Sequence, residues 1–355
     1  MKSIQRNTLL IIFMVLAVCL PSCKQEGTGE KWQKQRNEKT DVRNRIREIS
    51  MEDVLIGAMA KPYVFDDYLI IADYRSMEKM VHIFNKNTFA PLCSFGDPGQ
   101  GPKEITVLGT VAWNPEKREL YVTDHGQLRI LGYQLDSLLQ NPEYEPFVKL
   151  KLNGMNFPND YCYINDTLAY GSFIQPTSSS TFLQTSGKWN MQTGEIKLTA
   201  YTHPADQKKR ISYAVSPASQ TLVECNGRYD LISLYNLEGE LQCNVYGPNW
   251  DESGDRKKHF SQVQICGDKI VALYSGQDWN KGNLGEIFHV FNMKGDYLKT
   301  LVVGRPINYF CYDKDNNRII MNLDDEIQFA YLDLEAIEIL SDCAILRWQG
   351  SGPIG

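Results

Sequence analysis

"VHIFNKNTFAPLCSFG", residues 81–96, is a β-hairpin spelled out in sequence. Apolar residues alternate up to Phe84-Asn85, a short polar turn follows, and a second apolar run ends at Gly96. Alternation at period two marks a half-buried strand, and Asn and Gly suit turns in which the backbone φ becomes positive. The pattern returns as ISLYNLEGELQCNVYG at 232–247 and as FHVFNMKGDYLKTLVVG at 288–304. A fourth copy, KWNMQTGEIKLTAY, carries Trp189-Asn190, and weaker copies surround Tyr133 and Tyr331. The aromatic positions 84, 133, 189, 235, 291 and 331 therefore recur at intervals of 40 to 56 residues. A four-stranded propeller blade repeats every ~40 to 50 residues.

Each copy is preceded by further strand-like runs, such as DDYLIIADY at 66–74. The spacing predicts an all-β chain, a six-bladed β-propeller of four-stranded antiparallel blades over residues 49–355. A four-stranded sheet has two apolar faces and buries neither alone, whereas radial packing buries both and leaves only short edges. Such a ring needs closing. Either residues 50–59, SMEDVLIGAM, or residues 343–348, CAILRW, would supply the strand.

Ahead of the repeats, Lys2 and Arg6 flank an unbroken apolar run at residues 9–20. Twelve helical residues rise only ~18 Å, too short for a bilayer core of ~30 Å, so the run is expected to be a secretory leader. Leu20-Pro21-Ser22-Cys23 resembles the lipobox of bacterial lipoproteins, which implies removal of residues 1–22 and lipidation of Cys23. Lys24 follows the Cys, and an outer-membrane address, facing the periplasm or the cell surface, is expected. Residues 23–48 are almost wholly polar or charged and are expected to be a flexible tether, because they carry too little apolar surface to offset ordering.

The net charge of -6 becomes about -8 once Lys2 and Arg6 leave with the leader. No basic face is left to attract nucleic acid. Seven of the nine Cys lie beyond Cys23, with no C-x-x-C spacing. An odd number cannot pair completely within one chain, and their apolar surroundings point to buried small hydrophobes rather than a disulfide framework.

The junction after the first hairpin, FGDPGQGPKEI at 95–105, holds three glycines and two prolines. Its glycine spacing approaches that of a phosphate loop, but Pro102 stands where the Lys belongs and lacks an N–H, and no helix follows. Nucleotide binding is not expected. From Gly96 through Gly109-Thr110-Val111-Ala112 and Leu120-Tyr121-Val122-Thr123-Asp124 to Arg129-Ile130, the stretch resembles the repeat of NHL-type propellers. With the lipobox, the charged segment and the G-x-G-P-x-E connector, the chain resembles the six-bladed TolB-like propeller lipoproteins abundant in Bacteroidota. The resemblance implies a fold and an address and no particular reaction.

The expected function is a non-catalytic binding or scaffolding module for a protein, peptide or glycan, with no cofactor. Lys103, Glu104, Asp124, His125 and Trp279 are its candidate binding residues, all in loops or turns of a rigid scaffold. The alternative is a calcium-dependent hydrolase or lyase, lactonase-like, in the central channel. Calcium takes hard oxygen donors, and Asp67, Asp73, Asn114, Asp124, Asn165 and Asp313 are available, although Asn and Asp are also common turn residues. His82 and His289 occupy the same place in two repeat copies and read as a repeat position.

Overall fold

A computed structural model describes residues 29–51, 54–154, 157–178, 181–254, 256–282 and 284–337. The leader, Cys23 and residues 343–348 lie outside the described residues. Among the described residues no helix is long and apolar enough to cross a membrane.

The chain is nearly all β. The first sheet is the meander Ala60–Phe65, Tyr68–Asp73, Val81–Asn85 and Pro91–Phe95. The second runs Leu108–Asn114, Glu119–Asp124, Arg129–Gln134 and Phe147–Lys151, with a short helix at Leu135–Gln140. The third runs Phe157–Asn165, Leu168–Pro176, Phe182–Trp189 and Ile196–Leu198, and the fourth Ile211–Ser216, Thr221–Asn226, Leu231–Asn236 and Leu241–Tyr246. The last sheet begins with Phe260–Cys266, Lys269–Tyr274 and Gly285–Asn292. It then passes through Tyr297–Asp313, a strand of 17 residues, into Arg318–Leu323 and Phe329–Asp333. The first half of that long strand ends one meander, and its second half starts the next. Leu108–Asn114 packs beside Phe157–Asn165, Ile211–Ser216 beside Phe260–Cys266, and Tyr297–Asp313 packs on Ala60–Phe65, returning to the start. These sheets fit a propeller.

The aromatic-Asn signature has a local cause. Asn85 Oδ1 accepts from the amides of Asn87 and Thr88, and Asn190, Asn236 and Asn292 cap their own hairpins in the same way. Gly194, Gly239 and Gly295 then take φ near +80°, which a residue without Cβ adopts freely. In the first copy Phe89 holds that place at φ 59°, its ring 6.0 Å from that of Tyr331. The aromatic before each Asn is buried. Two residues earlier, His82 meets Ser94, Ser233 meets Asn244 and His289 meets Thr300 across to the fourth strand.

Residues 29–48 differ from the expected tether, because they lie along the outside of the sheets as a strap. Gly29–Trp32 runs parallel to Leu241–Tyr246, and Lys39–Asp41 runs parallel to Lys299-side residues of the long strand, Thr300 to Val302. Arg47–Glu48 pairs antiparallel with Ala330 and Tyr331. The outer strand of the last sheet is thus taken from the N-terminal side, just before residues 50–59. Three anchors explain the ordering of so polar a segment. Trp32 stacks on Tyr246 at 4.1 Å, Val42 is fully buried, and Arg36 donates to Asp230 at 2.7 Å with both side chains buried.

Cys93, Cys162, Cys225, Cys243, Cys266 and Cys311 are free thiols, and the last four are buried. Burial also holds histidines neutral. His259, bonded to Tyr274, is lowered to about 4, and His289 to about 2. The unfolded chain binds protons at these sites below the ordinary value of about 6.5, and the folded chain does not. Stability is therefore complete above pH 6.5 and falls from there towards pH 4, by up to about 1.4 kcal/mol per pH unit per histidine. Urea unfolding from pH 7 to pH 4 measures this, and His259→Asn should flatten the slope. An unchanged slope would show that His259 does not drive the loss.

Candidate functional site

The first strands of the meanders line a central channel, in which alternate residues face inward. Two cavities occupy it, of about 410 Å³ and about 390 Å³. Lys61, Asp160, Tyr213 and Gln264 line both and form the waist between them. One chamber is aromatic, with Tyr63, Phe65, Trp113, Tyr163 and Tyr312 on its walls. Phe65 stacks between Tyr63 at 5.9 Å and Trp113 at 6.3 Å. The other chamber is polar, with Tyr74, Thr110, His125, Ser212, Ser261 and Tyr309.

At the waist, Lys61 Nζ lies 2.6 Å from Asp160 Oδ2 and 4.9 Å from the centre of the Tyr63 ring. Asp160 Oδ1 accepts from the Thr110 hydroxyl at 2.8 Å. Burial alone would lower Lys61, but Asp160 with the Tyr74 and Tyr309 phenols outweighs it and pushes the amine up to about 12. Burial, reinforced by Asp160, also raises Tyr63, Tyr213 and Tyr309, while Tyr74 is raised by burial and Tyr63. At neutral pH the waist therefore presents an ammonium and protonated phenols, which are donors rather than bases.

Of the residues singled out in the sequence, His125 borders the polar chamber. Its Nε2 lies 3.0 Å from the Pro158 carbonyl oxygen, which can only accept, so Nε2 carries the proton and Nδ1 keeps a lone pair. Burial lowers its pKa against the pull of Pro158, Asp124 and Asp160. Asp124 is fully buried and pairs with Arg129, and its Oδ1 accepts from the amides of Thr106, Val107, Gly126 and Gln127. Glu104 folds back so that its carboxylate accepts from the Gly101 amide at 2.7 Å. A Cβ on Gly99 would meet that carboxylate and push the Glu104 side chain off the Gly101 amide. Arg129 donates to the carbonyls of Gly101, Pro102 and Glu104. Lys103 is exposed and pairs with Glu145, and Trp279 is a half-exposed loop residue.

The oxygen donors considered for calcium do not converge. Asp73 accepts from the amides of Gly57 and Arg75, Asn114 donates to the phenols of Tyr121 and Tyr163, and Asp313 pairs with Arg318. Asn165 caps the hairpin at Thr167, and Asp67 sits in the turn before Tyr68. Among the described residues no group of three or more His, Cys, Asp or Glu side chains could hold a metal ion. Among the described residues Asp160 is the only carboxylate lining either chamber, and it is paired with Lys61. This donor set does not fit calcium. Lys61, Tyr63, Asp160 and Tyr213 were not foreseen. Their one signal is a lysine alternating with aromatics in the strand KPYVF at 61–65.

No family model matches the chain, and no curated protein matches it in sequence. Solved structures resemble it in fold. One is a calcium-binding protein, regucalcin, from Agrobacterium tumefaciens, with a TM-score of 0.54 and 9% identity over 83% of this chain and 95% of that one. Another is a luciferin-regenerating enzyme, with a TM-score of 0.53 and 8% identity over 81% and 94%. A third is a Bacteroides fragilis protein described as exported, with a TM-score of 0.51 and 10% identity over 82% and 88%. At such identities the likeness is one of fold alone.

Proposed function

We propose that the chain is a six-bladed, TolB-like propeller, exported and lipid-anchored through Cys23, whose central channel binds a small molecule. Counting the last sheet as two meanders joined by Tyr297–Asp313 gives the six blades. The observation that carries the binding site is the pair of chambers meeting at Lys61 and Asp160. Each has the ~300–1,000 Å³ typical of small-molecule sites, and each mixes apolar walls with a few fixed polar groups. Binding is favoured over proton abstraction because the one carboxylate at the waist, Asp160, is already engaged by Lys61 and Thr110.

Cys162, an exposed thiol, lines the aromatic chamber. It reports occupancy. A channel ligand should raise the unfolding temperature, by the equivalent of about 2.7 kcal/mol at a hundredfold excess over Kd, and should slow modification of Cys162 by a methanethiosulfonate. The panel is neutral disaccharides, uronic-acid disaccharides and aromatic acids, with mass spectrometry locating the modified thiol. Compounds that stabilise the protein without shielding Cys162 would place the site elsewhere and refute the channel reading.

A further inference from the structure

We infer that the Lys61–Asp160 pair sets the charge of the channel's ligand, so that the site takes a neutral polyhydroxylated ring and rejects its carboxylated counterpart. This rests on the channel reading above. The waist holds one cation and one anion at 2.6 Å, and among the residues lining the two chambers these are the only permanently charged side chains. Their charges cancel. A ligand carboxylate would share the one ammonium with Asp160, whose side chain is 31% exposed, and so would bring two anions against a single cation, a like-charge juxtaposition that opposes binding. The amine cannot leave easily, because its side chain is only 13% exposed and Asp160 is fixed from the other side by Thr110.

The remaining chemistry fits an uncharged ring that is apolar on its faces and hydroxylated at its edge. Tyr63, Phe65 and Trp113 offer stacked aromatic faces in one chamber. In the other, Thr110, Ser172, Gln184, Gln264 and Tyr309 line the wall with hydroxyls and amides. Such a wall both donates and accepts, and a polyhydroxylated ligand supplies donors and acceptors together. The walls that present these groups are cross-braced, since Gln262 exchanges two hydrogen bonds with the Phe310 backbone of the neighbouring strand.

The test compares neutral disaccharides with the matching uronic-acid disaccharides at pH 7, read by calorimetry and by shielding of Cys162. The unaltered protein should bind the neutral set more tightly by about tenfold or more. Asp160→Asn keeps an acceptor for Thr110 but leaves Lys61 uncompensated, and it should reverse the order. The double variant Lys61→Gln with Asp160→Asn removes both charges and should restore the neutral preference, which also shows that the altered waist still folds. Tighter binding of the acids by the unaltered protein, or an order unmoved by Asp160→Asn, would overturn the charge rule while leaving the channel site standing. If neither set binds or shields Cys162, the sugar class falls. Shielding by the aromatic acids would then keep the channel, and no shielding by any compound would remove it.

Discussion

A chain starting at residue 50 is expected to unfold about 10 °C below one starting at residue 24, because the strap is part of the fold. The truncation removes the closing pair Arg47–Glu48, the buried Val42 and the parallel strands on two sheets. Most of the effect should survive in a single substitution. Arg36 reaches Asp230 at 2.7 Å, and its guanidinium carbon lies 5.2 Å from the centre of the Phe291 ring. Both partners are buried, at 7% and 0% exposure. Arg36→Ala leaves Asp230 as a buried, uncompensated charge, which costs about 3–5 kcal/mol. Calorimetry of the two truncations and of Arg36→Ala measures this. Equal unfolding temperatures would mean that the segment is a passive tether after all.

Asp124→Ala should be comparably damaging, at about 3–5 kcal/mol, and its damage should be local in a way that can be seen. One carboxylate gathers two amides from the end of the connector and two from its own hairpin turn, and neutralises Arg129. Arg129 in turn holds three carbonyls of the connector. Without Asp124 the guanidinium is left unpaired and the G-x-G-P-x-E loop loses its frame. Trypsin should then cut after Lys103 much faster than in the unaltered protein, while urea unfolding shifts to lower concentration. Resistance to cleavage together with full stability would refute the framing role. Asp124→Asn should fall between the two, since an amide oxygen can still receive the backbone N–H groups but carries no charge for Arg129.

The parts legible in the sequence are those with local causes. Asn85, Asn190, Asn236 and Asn292 build their turns from their own side chains, so the hairpin period could be counted before any packing was known. The strap was not legible. Its strands are edge strands with one polar side, and their partners lie some two hundred or more residues away, Gly29 against Cys243 and Arg47 against Tyr331. Composition reads such a segment as solvated, because Arg36 and Val42 gain their burial, and Trp32 its stacking partner, only from the assembled sheets. The channel was hidden for a related reason. Lys61 and Asp160 belong to different sheets, and nothing near either residue announces the other. His125 and Asp124 are neighbours in sequence, yet one borders the chamber and the other is buried in the framework.

The long strand Tyr297–Asp313 has a mechanical consequence. Elsewhere one meander passes to the next through a loop, which can give. Here the two share one strand, which turns between them at Gly304, φ 66°, and Pro306, where the pairing register shifts, and the strap belts the fourth sheet to both of them. The arc from Ile211 to Asp333 is therefore tied by backbone pairing as well as by side chains, whereas the sheets between Ala60 and Leu198 meet through side chains and the connectors between them. Lys61, Thr110 and Asp160 all sit on that second arc. The charged pair thus lies on the side of the channel with the fewer backbone ties between sheets, and the wall bearing Tyr213, Ser261 and Gln264 on the side with the more.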